Sequence, residues 1–415
     1  MKSVMPSKVN GTVKAPPSKS MMVRAVAASL LAPGRSEILN PSFCGDSLAA
    51  LGVAKALQAH VSKKNNKVII EGSKNQKTAL LDCAESGLCI RMFAPIVSLF
   101  GQKFILTGAG SLSSRPVGMI EQPLVKLGAL CKTNNGYPPV IVRGPIDGGN
   151  LEIDGAITSQ FLTGLLMALP LCGKDSTISV SNLESKLYIQ MTIAILKDFG
   201  ITVNHDRNLS KFRIPGRQEY RPRAYTVEGD WSGASFLLVA GAIGGRVKVI
   251  GLSMNSLQAD KAIINLLKEA GSIIKTGQDF ILVKKSRLDA FKFDITNCPD
   301  LFPPLAALAC NCKGKSIIAG IERVRHKESD RAMAISAELG KLGAKIKIAG
   351  NRMEITGAQL KGGIVNSHND HRIAMACAIA AINSETGARI KRWESVSKSY
   401  PEFFNDLKSM EVDVL

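Results

Sequence analysis

Four segments of this chain resemble one another and recur at an almost constant spacing. Each combines a helical stretch, a glycine of the kind that ends a helix, and a short strand-like run. The steps between successive glycines are 72, 71 and 72 residues, and the glycines are Gly128, Gly200, Gly271 and Gly343. A period of this length exceeds that of a solenoid repeat and is typical of a small subdomain of alternating strands and helices.

The same period extends towards both ends of the chain. One step back lies an expected helix over 51–59 with a strand near Val68, and one step forward lies an expected helix over 403–410. The 415 residues therefore accommodate six copies of one α/β unit. We expect three copies in each of two domains, with an active site in the cleft between them. The alternative is coincidence, because helix–glycine–strand joints are common in α/β proteins.

The stretch Pro16-Pro17-Ser18-Lys19-Ser20 predicts a helix that begins beside a lysine and runs to about Leu31. The two prolines disfavour helix before this point. The free N–H groups of a helix start attract anions, and Lys19 adds a full charge. Arg24 lies one turn beyond Ser20 on the same face. The pattern favours a phosphate or carboxylate site, and the alternative is an ordinary serine N-cap with solvated Lys19 and Arg24.

Polar and cationic residues stand at further expected helix starts along the chain. Asp370 is a candidate N-cap, whereas Arg372 occupies a first turn where a cation opposes the helix dipole, which favours a bound anion. Similar combinations occur at Ser86-Gly87 with Arg91, Ser113–Gly118 with Arg115, Thr158-Ser159-Gln160, Ser185 with Lys186 and Tyr188, and Lys398, which we expect on a loop. Six or more such starts indicate a ligand, or a pair of ligands, with several negative charges.

Two carboxylates are candidates for acid–base chemistry. Glu328 lies within Arg325–Arg331, the densest polar cluster of the chain, where neighbouring cations could tune it. Arg331 could direct a bidentate fork towards a carboxylate or phosphate. Asp300 lies just before a proline-marked helix. The alternative for the cluster is a solvated helix cap.

Composition and missing motifs exclude several classes of protein. The net charge of +19, from 53 Lys and Arg against 34 Asp and Glu, suits acidic ligands, but the cations are scattered and aromatics are 5%. Small anions are therefore more plausible ligands than nucleic acid.

The chain has no Gly-x-Ser-x-Gly, Walker A or Gly-x-Gly-x-x-Gly motif and no metal-ligand spacing. Nine cysteines without Cys-x-x-Cys predict buried thiols in the cytoplasm, and the lack of 18 consecutive apolar residues predicts no membrane span.

Eight motifs occur in an order that is specific as a set, although each is weak by itself. They are Pro-Ser-Lys-Ser at 17–20, Ser-Gly-x-x-x-Arg at 86–91, Arg-Pro-x-Gly at 115–118, Ser-Gln-Phe-Leu at 159–162, Gly-Asp-x-Ser-x-Ala-Ser at 229–235, Lys-Glu-Ser-Asp-Arg at 327–331, Asn-Asp-His-Arg at 369–372 and Lys398. Over nearly its whole length, the chain resembles the 5-enolpyruvylshikimate-3-phosphate synthase family, also called 3-phosphoshikimate 1-carboxyvinyltransferases.

The resemblance implies an α/β fold, a two-lobed inside-out α/β barrel of six βαβαββ repeats with three in each lobe. Lobe I would comprise 1–17 plus 229–415 and lobe II 18–228, so the chain would cross near Pro17 and Glu228. The implied reaction transfers the enolpyruvyl group of phosphoenolpyruvate to the 5-hydroxyl of shikimate 3-phosphate through a tetrahedral intermediate, and phosphate leaves. The implied enzyme needs no metal or organic cofactor, and we expect a cytoplasmic monomer.

The resemblance also implies a role for each matching residue. Those around shikimate 3-phosphate would be Lys19, Ser20, Arg24, Thr158, Ser159, Gln160, Ser185, Tyr188, Asp300 and Lys327. Those that hold phosphoenolpyruvate would be Lys19, the Gly87 backbone, Arg115, Gln160, Arg331, Arg372 and Lys398. Asp300 would accept the 5-hydroxyl proton, Glu328 would protonate the enol methylene, and Lys19 would bridge the substrates.

The chain departs from the family pattern at five positions. Leu88 stands where many members carry Thr, Met92 where many carry Pro, and Glu85 where Asn is frequent. Leu187 interrupts the usual Ser-Lys-Pro-Tyr, and Arg323 occupies a position that is often Asn, so that contact is not transferred. These positions border the expected phosphoenolpyruvate site and leave sensitivity to the inhibitor glyphosate undecided.

Two rival functions predict different behaviour. The related transferase that acts on UDP-N-acetylglucosamine normally has a loop cysteine ahead of its Arg-Pro motif, and the corresponding loop here, 108–114, has none. A non-catalytic protein that binds nucleic acid would explain the charge and would bind with steep salt dependence. It gives no reason for Asp300 and Glu328 to lie beside cationic loops.

Overall fold

The computed structural model describes residues 1–73, 77–156 and 158–415. The α-helices in these ranges are Lys19–Leu31 (α1), Gly45–Ala56 (α2), Gly87–Val97 (α3), Glu121–Lys126 (α4), Ser159–Ala168 (α5), Lys186–Asp198 (α6), Trp231–Gly244 (α7), Ile263–Glu269 (α8), Phe302–Ala309 (α9), Arg331–Lys341 (α10), His371–Ala381 (α11) and Phe403–Ser409 (α12). Short 3-10 helices cover Gly110–Ser114, Gly118–Ile120, Leu169–Leu171, Ala259–Ala262, Pro299–Leu301, Ile321–Val324 and Trp393–Lys398. Lys398 thus ends a 3-10 helix, and the prediction that it lies on a loop was wrong.

The strands alternate with these helices, as the repeat predicted. They are Lys2–Val4 (β1), Val9–Lys14 (β2), Arg35–Leu39 (β3), His60–Lys64 (β4), Lys67–Glu71 (β5), Ala79–Asp82 (β6), Lys103–Thr107 (β7), Leu130–Asn134 (β8), Tyr137–Arg143 (β9), Asn150–Asp154 (β10), Ser176–Ser181 (β11), Asn204–His205 (β12), Lys211–Ile214 (β13), Ala224–Thr226 (β14), Gly245–Ile250 (β15), Ile273–Thr276 (β16), Phe280–Lys284 (β17), Lys292–Asp294 (β18), Lys315–Ala319 (β19), Lys345–Ala349 (β20), Arg352–Thr356 (β21), Gly363–Asn366 (β22) and Ala388–Lys391 (β23).

Internal contacts divide the chain into two compact units. Unit 1 consists of Met1–Ser18 and Glu228–Leu415, and unit 2 consists of Lys19–Val227. The predicted changeovers, after residues 17 and 228, each differ from this division by one residue. Ser18 belongs with unit 1 because its N–H donates to the carbonyl of Glu228, 2.8 Å away.

Among the described residues, no helix has both the length and the apolar character that crossing a membrane requires.

The six sheets formed by the described strands share one plan, and each unit has three of them. Five sheets have four strands, in which two parallel strands are followed by two antiparallel ones: β14-β3-β5-β4, β6-β7-β9-β8, β10-β11-β13-β12, β2-β15-β17-β16 and β18-β19-β21-β20. The sixth is β22-β23-β1, in which an antiparallel bridge from Val4 to Val414 stands in the fourth place. The repeated α/β plan that the glycine spacing predicted is confirmed.

The parallel pair of each sheet determines where polar loops come together. Because parallel strands run in the same direction, both of their carboxyl ends lie at one edge of the sheet. The chain that follows each such end leads into a helix start, and ligands of α/β proteins commonly bind there. The pairs are β3 with β14, β6 with β7 and β10 with β11 in unit 2, and β2 with β15, β18 with β19 and β22 with β23 in unit 1.

Apolar helices occupy the interior of each unit. In unit 1, α7 packs against α9 and α11, and α7 is buried along nearly its whole length. In unit 2, α3 packs against α1 and α5, and every residue of α3 is buried. Helices that are apolar on all sides belong in a protein core. The sheets therefore lie outside the helices, as the inside-out fold requires.

The helix ends that revealed the repeat share one hydrogen-bond pattern. The four glycines have φ of 83° to 100°, the left-handed region in which a side chain is strained. Each glycine N–H donates to the carbonyl three residues before it, and the next N–H donates to the carbonyl five residues before it, as in the Schellman motif. The same bonds end α2 at Gln58 and α12 at Glu411, where φ is 64° and 65°. One helix in each of the six repeats therefore ends in the same way.

We predict opposite effects from two alanine substitutions three residues apart at the end of α10. Gly343→Ala should lower the free energy of unfolding by roughly 1–2 kcal/mol, because Gly343 has φ of 99°. Gly340→Ala should raise it by roughly 0.5–1 kcal/mol, because a Cβ there meets nothing within 4 Å and alanine favours helix. Urea unfolding of both variants measures these changes, and shifts of the same sign would contradict the assigned helix end.

Candidate active site

Arg331 is the centre of an ion-pair cluster in unit 1. Its side chain is 1% exposed at the start of α10. Nε donates to Asp370 at 2.8 Å, Nη1 to Asp300 at 2.9 Å, and Nη2 to Glu328 at 2.6 Å. Burial acts to lower the pKa of Arg331, but attraction to Asp370, Glu328 and Asp300 raises it above the ordinary value of arginine. The guanidinium fork that we expected to face a ligand is thus held by protein carboxylates.

Asp300 joins Arg331 to a second buried arginine. It lies in the 3-10 helix that precedes α9, and its carboxylate accepts from Arg372 Nη2 at 3.0 Å. Arg372 Nη1 also donates to the Asp300 backbone carbonyl at 3.3 Å. Burial acts to lower the pKa of Arg372, and the Asp300 carboxylate raises it. Lys327 Nζ lies 3.9 Å from the same carboxylate, so three predicted ligand-binding cations surround one predicted base.

Glu328 and Asp370 hold the other side of the cluster. The Glu328 carboxylate is 8% exposed, and Lys398 Nζ lies 3.8 Å from it. Asp370 is fully buried and caps α11, because its carboxylate accepts from the backbone N–H of Arg372 at 2.9 Å. The predicted N-cap at Asp370 is therefore confirmed. The structure brings together all six predicted site residues of unit 1: Asp300, Lys327, Glu328, Arg331, Arg372 and Lys398.

Asp260 is a buried carboxyl group beside this cluster that the sequence did not single out. It is 1% exposed, Oδ2 accepts from Ser232 Oγ, and Oδ1 has no hydrogen-bond partner among the described residues. Burial and the charge of Asp300 raise the pKa of Asp260 to about 7, against the opposing effect of Arg372. Asp260 is therefore largely neutral below pH 7.

Arg24 of unit 2 is a buried cation in neutral surroundings. Its side chain is 1% exposed, and in the described part of the chain its hydrogen bonds all go to neutral oxygens. These are Thr192 Oγ1 at 2.9 Å, the Ser20 carbonyl at 2.8 Å, Thr163 Oγ1 at 3.3 Å and the Tyr188 carbonyl at 3.5 Å. Burial lowers the pKa of Arg24 to about 10. A nearby anion would stabilise this cation.

Lys19 begins α1 and pairs with Asp46 at the start of α2. The Nζ–Oδ2 distance is 3.0 Å, and the two side chains are 16% and 7% exposed. Asp46 follows β3 in the chain, whereas Lys19 follows β2. Asp46 therefore fixes a lysine that the sequence placed between two substrates.

Gly87 and Arg115 lie against each other at the start of α3. A Cβ at position 87 would be 2.8 Å from Nη1 of Arg115, so a larger residue there would require the flexible guanidinium to shift. Arg91 extends this group, because its Nη1 donates to Gln160 Oε1 at 2.8 Å and its Nη2 donates to the Pro116 carbonyl at 2.7 Å. The predicted contact of the Gly87 backbone with a ligand stays a prediction, and the structure adds that the Arg115 guanidinium lies beside this glycine.

The remaining predicted residues lie at the starts of α5 and α6. Thr158 caps α5, because its Oγ1 accepts from the N–H of Gln160 at 3.1 Å, and Ser159 is 7% exposed. Ser185 precedes α6 in the left-handed region with φ of 56°, and its carbonyl accepts from the Tyr188 N–H at 3.0 Å. A serine in that conformation is strained, as often occurs at functional sites.

The described residues contain no group of three or more His, Cys, Asp or Glu side chains that could hold a metal ion. The two sets described above are instead rich in arginine and lysine. Such sets bind carboxylate and phosphate groups. The set of unit 1 also contains the ion-paired carboxylates Asp300 and Glu328, so it suits proton transfer on an anionic substrate.

The sequence alone assigned no role to three residues of these sets, which are Asp46, Asp260 and Arg91. Asp46 and Asp260 are separated in the chain from their partners Lys19 and Ser232, so no local pattern marks them. Arg91 was quoted within a motif without a function. The signal that could have found them is position, because all three follow the carboxyl end of a parallel strand and lie within the first turns of a helix.

We predict that Asp260→Asn alters the pH dependence of stability. As the pH rises from about 4 to 7, the unfolded chain loses the Asp260 proton while the folded chain keeps it, so the wild type loses stability. Relative to the wild type, the variant should therefore gain roughly 1–4 kcal/mol across this window. Urea unfolding at several pH values measures the gain. Asp279→Asn, at an exposed carboxylate, is the control, and equal pH dependence in all three proteins would contradict the assignment.

Comparison with known proteins identifies the family. The family model described as EPSP synthase (3-phosphoshikimate 1-carboxyvinyltransferase) matches residues 4–407. A protein of Clostridium novyi (strain NT) named 3-phosphoshikimate 1-carboxyvinyltransferase is 39% identical over 420 residues, which cover 98% of this chain and 96% of that protein. A Clostridium kluyveri protein of the same name is 38% identical over 417 residues, which cover 99% and 98%.

Solved structures agree with the fold. An EPSP synthase from Acinetobacter baumannii has a TM-score of 0.84 at 24% identity and covers 100% of this chain and 99% of its own. The enolpyruvyl transferase NikO from Streptomyces tendae has a TM-score of 0.80 at 16% identity, with coverage of 100% and 98%. These structures confirm the predicted enolpyruvyl transferase fold. From the family match and the clostridial relatives, the chain belongs to the EPSP synthase family.

Proposed function

We propose that this chain transfers the enolpyruvyl group of phosphoenolpyruvate to the 5-hydroxyl of shikimate 3-phosphate and releases phosphate. As a 3-phosphoshikimate 1-carboxyvinyltransferase it serves the shikimate pathway towards chorismate and aromatic amino acids. Family membership supports this activity. The structural observation that carries it is the Arg331 cluster, in which one buried cation contacts both Asp300 and Glu328, the two carboxylates that the reaction needs.

We assign shikimate 3-phosphate mainly to the polar set of unit 2. Arg24 supports the assignment, because its hydrogen bonds to neutral oxygens leave a buried positive charge that an anion would balance. The hydroxyl groups and helix starts around it suit a phosphorylated, hydroxylated ring. The proposed contacts are Lys19, Ser20, Arg24, Thr158, Ser159, Gln160, Ser185, Tyr188, Asp300 and Lys327.

We assign phosphoenolpyruvate to a further set of predicted cations. Arg331, Arg372 and Lys398 are each buried, which strengthens their attraction to a carboxylate or phosphate. Arg115 beside Gly87 presents a further guanidinium. The proposed contacts are Lys19, the Gly87 backbone, Arg115, Gln160, Arg331, Arg372 and Lys398.

The acid–base steps follow from the reaction's proton balance. The 5-hydroxyl oxygen forms a bond to C2 of phosphoenolpyruvate and passes its proton to Asp300, while C3 takes a proton from Glu328. The tetrahedral intermediate then loses a C3 proton and releases phosphate, which restores the double bond. The substrate carboxylate can replace Glu328 as the counter-ion of Arg331 and Lys398, which favours the protonated glutamic acid that the first step requires.

We also propose the wider setting of the enzyme. Units 1 and 2 would serve as lobes I and II. All nine cysteines are free and buried, which supports a reducing compartment such as the cytoplasm. Every proposed site residue comes from one chain, which is consistent with a monomer, and the proposed partners are small molecules and not nucleic acid.

We predict that the purified protein releases phosphate only when shikimate 3-phosphate and phosphoenolpyruvate are both present. The turnover should lie on the order of 1–10³ s⁻¹, as for most enzymes. Omitting each substrate in turn provides the control. Release that requires UDP-N-acetylglucosamine in place of shikimate 3-phosphate would support the rival transferase, and no release with either acceptor would contradict the proposed function.

We predict that Glu328→Gln separates catalysis from binding. Glutamine keeps the size of the side chain and an acceptor for Arg331 but cannot donate the proton, so kcat should fall by roughly 10²-fold or more. The KM values should change only a few-fold. Steady-state kinetics measures both, and Glu322→Gln, at an exposed glutamate on the preceding 3-10 helix, is the matched control. A collapse of binding without loss of kcat would assign Glu328 a structural role instead.

A further inference from the structure

Glu85 caps a 3-10 helix to which it does not belong. The 3-10 helix Gly110–Ser114 begins after Ala109, which has no side chain that could cap it. The half-buried Glu85 supplies the missing acceptor, because its Oε2 accepts from the Ser111 backbone N–H at 3.1 Å and from Ser111 Oγ at 2.8 Å. A carboxylate at a helix start binds the free N–H groups and complements the helix dipole.

The close fit of this contact constrains its neighbours. Gly110 has φ of 51°, and a Cβ there would lie 2.6–2.8 Å from the Glu85 carboxyl atoms. The two loops that meet here follow the parallel strands β6 and β7. Backbone bonds also join them, from Cys83 N–H to the Thr107 carbonyl at 3.0 Å and from Ala109 N–H to the Ala84 carbonyl at 2.7 Å. Glu85 therefore adds a side-chain contact to the backbone hydrogen bonds that connect the two loops.

The capped helix leads directly to Arg115. The Arg115 N–H donates to the Leu112 carbonyl at 3.0 Å, so the residue ends the same 3-10 helix. Its guanidinium then lies against Gly87, two residues after Glu85. The segment 85–87 therefore contacts Arg115 in two ways. Glu85 caps the helix that ends at the Arg115 backbone, and Gly87 lies against its guanidinium. A shift of the capped helix would move the guanidinium away from Gly87.

We propose that Glu85 is a positioning residue, which fixes Arg115 for phosphoenolpyruvate by capping the helix Gly110–Ser114 from the neighbouring loop. The inference rests on the proposed function for its substrate and on the geometry above for its mechanism. Glu85 itself does not need to touch the substrate. Its role predicts an effect on phosphoenolpyruvate binding that is separate from the acid–base chemistry of Asp300 and Glu328.

The test compares steady-state kinetics and amide hydrogen exchange in Glu85→Ala and Glu85→Gln. Glu85→Ala should raise the KM for phosphoenolpyruvate roughly tenfold, with kcat and the KM for shikimate 3-phosphate within about twofold. It should also speed hydrogen exchange at the Ser111 amide. Glu85→Gln keeps an oxygen that can accept from this amide, so its KM should stay within about threefold of the wild type.

Two further variants make the test specific. In the Glu85→Ala background, Ser111→Ala should have no additional effect, because the partners act as one pair. Asp206→Ala is the matched control, since Asp206 binds the N–H and Oγ of Ser210 in the same way at 2.7 Å on the turn between β12 and β13, which carries none of the proposed site residues. The control should leave all kinetic constants within about twofold.

Several outcomes would overturn the inference. An unchanged KM for phosphoenolpyruvate in Glu85→Ala would do so. A fall in kcat together with a rise in both KM values would also do so. Equal effects of Glu85→Gln and Glu85→Ala would assign the change to charge and not to capping. A wild-type protein without phosphate release would overturn the proposed function instead, which separates the two failures.

Discussion

The burial of one guanidinium among three carboxylates is the constraint on which unit 1 depends. Transfer of the Arg331 cation out of water costs several kcal/mol, and good geometry with opposite charges must offset it. Asp300, Glu328 and Asp370 provide that charge from the segments that lead into α9, α10 and α11. The same contacts that make Arg331 tolerable in the interior therefore hold three loops in place. Stability and site geometry are coupled in this unit.

Arg331 of unit 1 and Arg24 of unit 2 present different electrostatic conditions to an anion. In unit 1 the cations already have protein carboxylates as partners, so a bound anion must compete with Glu328 and Asp300 for Arg331. In unit 2 the bonds of Arg24 go to neutral oxygens, so an anion would add a missing counter-charge. Competition at Arg331 has a chemical consequence, because a displaced Glu328 is more easily protonated. In the proposed mechanism, the ligand would thereby prepare the acid that acts on it.

The sequence predicted the repeat because glycine marks a left-handed helix end, and the two copies in which another residue adopts that conformation were predicted only by extending the period. The helix ends at Gln58 and Glu411 have the same two hydrogen bonds as those at the four glycines, with φ near 65°. The side chains of these two residues do not indicate a helix end. Most charged site residues were predictable because they stand near local helix starts, whereas Arg115 and Lys398 lie at the ends of 3-10 helices. Their partners were not, since Glu85 and Ser111 lie on segments that approach only when β6 and β7 pair, and Lys19 and Asp46 meet only where α1 packs against α2.

The sheet plan explains why residues so far apart in the chain act together. In each sheet, two parallel strands deliver two segments to one edge, and every proposed site residue lies beyond such a strand end. Asp300 and Arg331 are an example, because they follow β18 and β19, whereas Asp370 follows β22. A plan repeated six times fixes the positions of these segments and leaves their side chains free to differ. The repeat therefore supplies the scaffold, and the chemistry arises from the segments in which its copies are unlike.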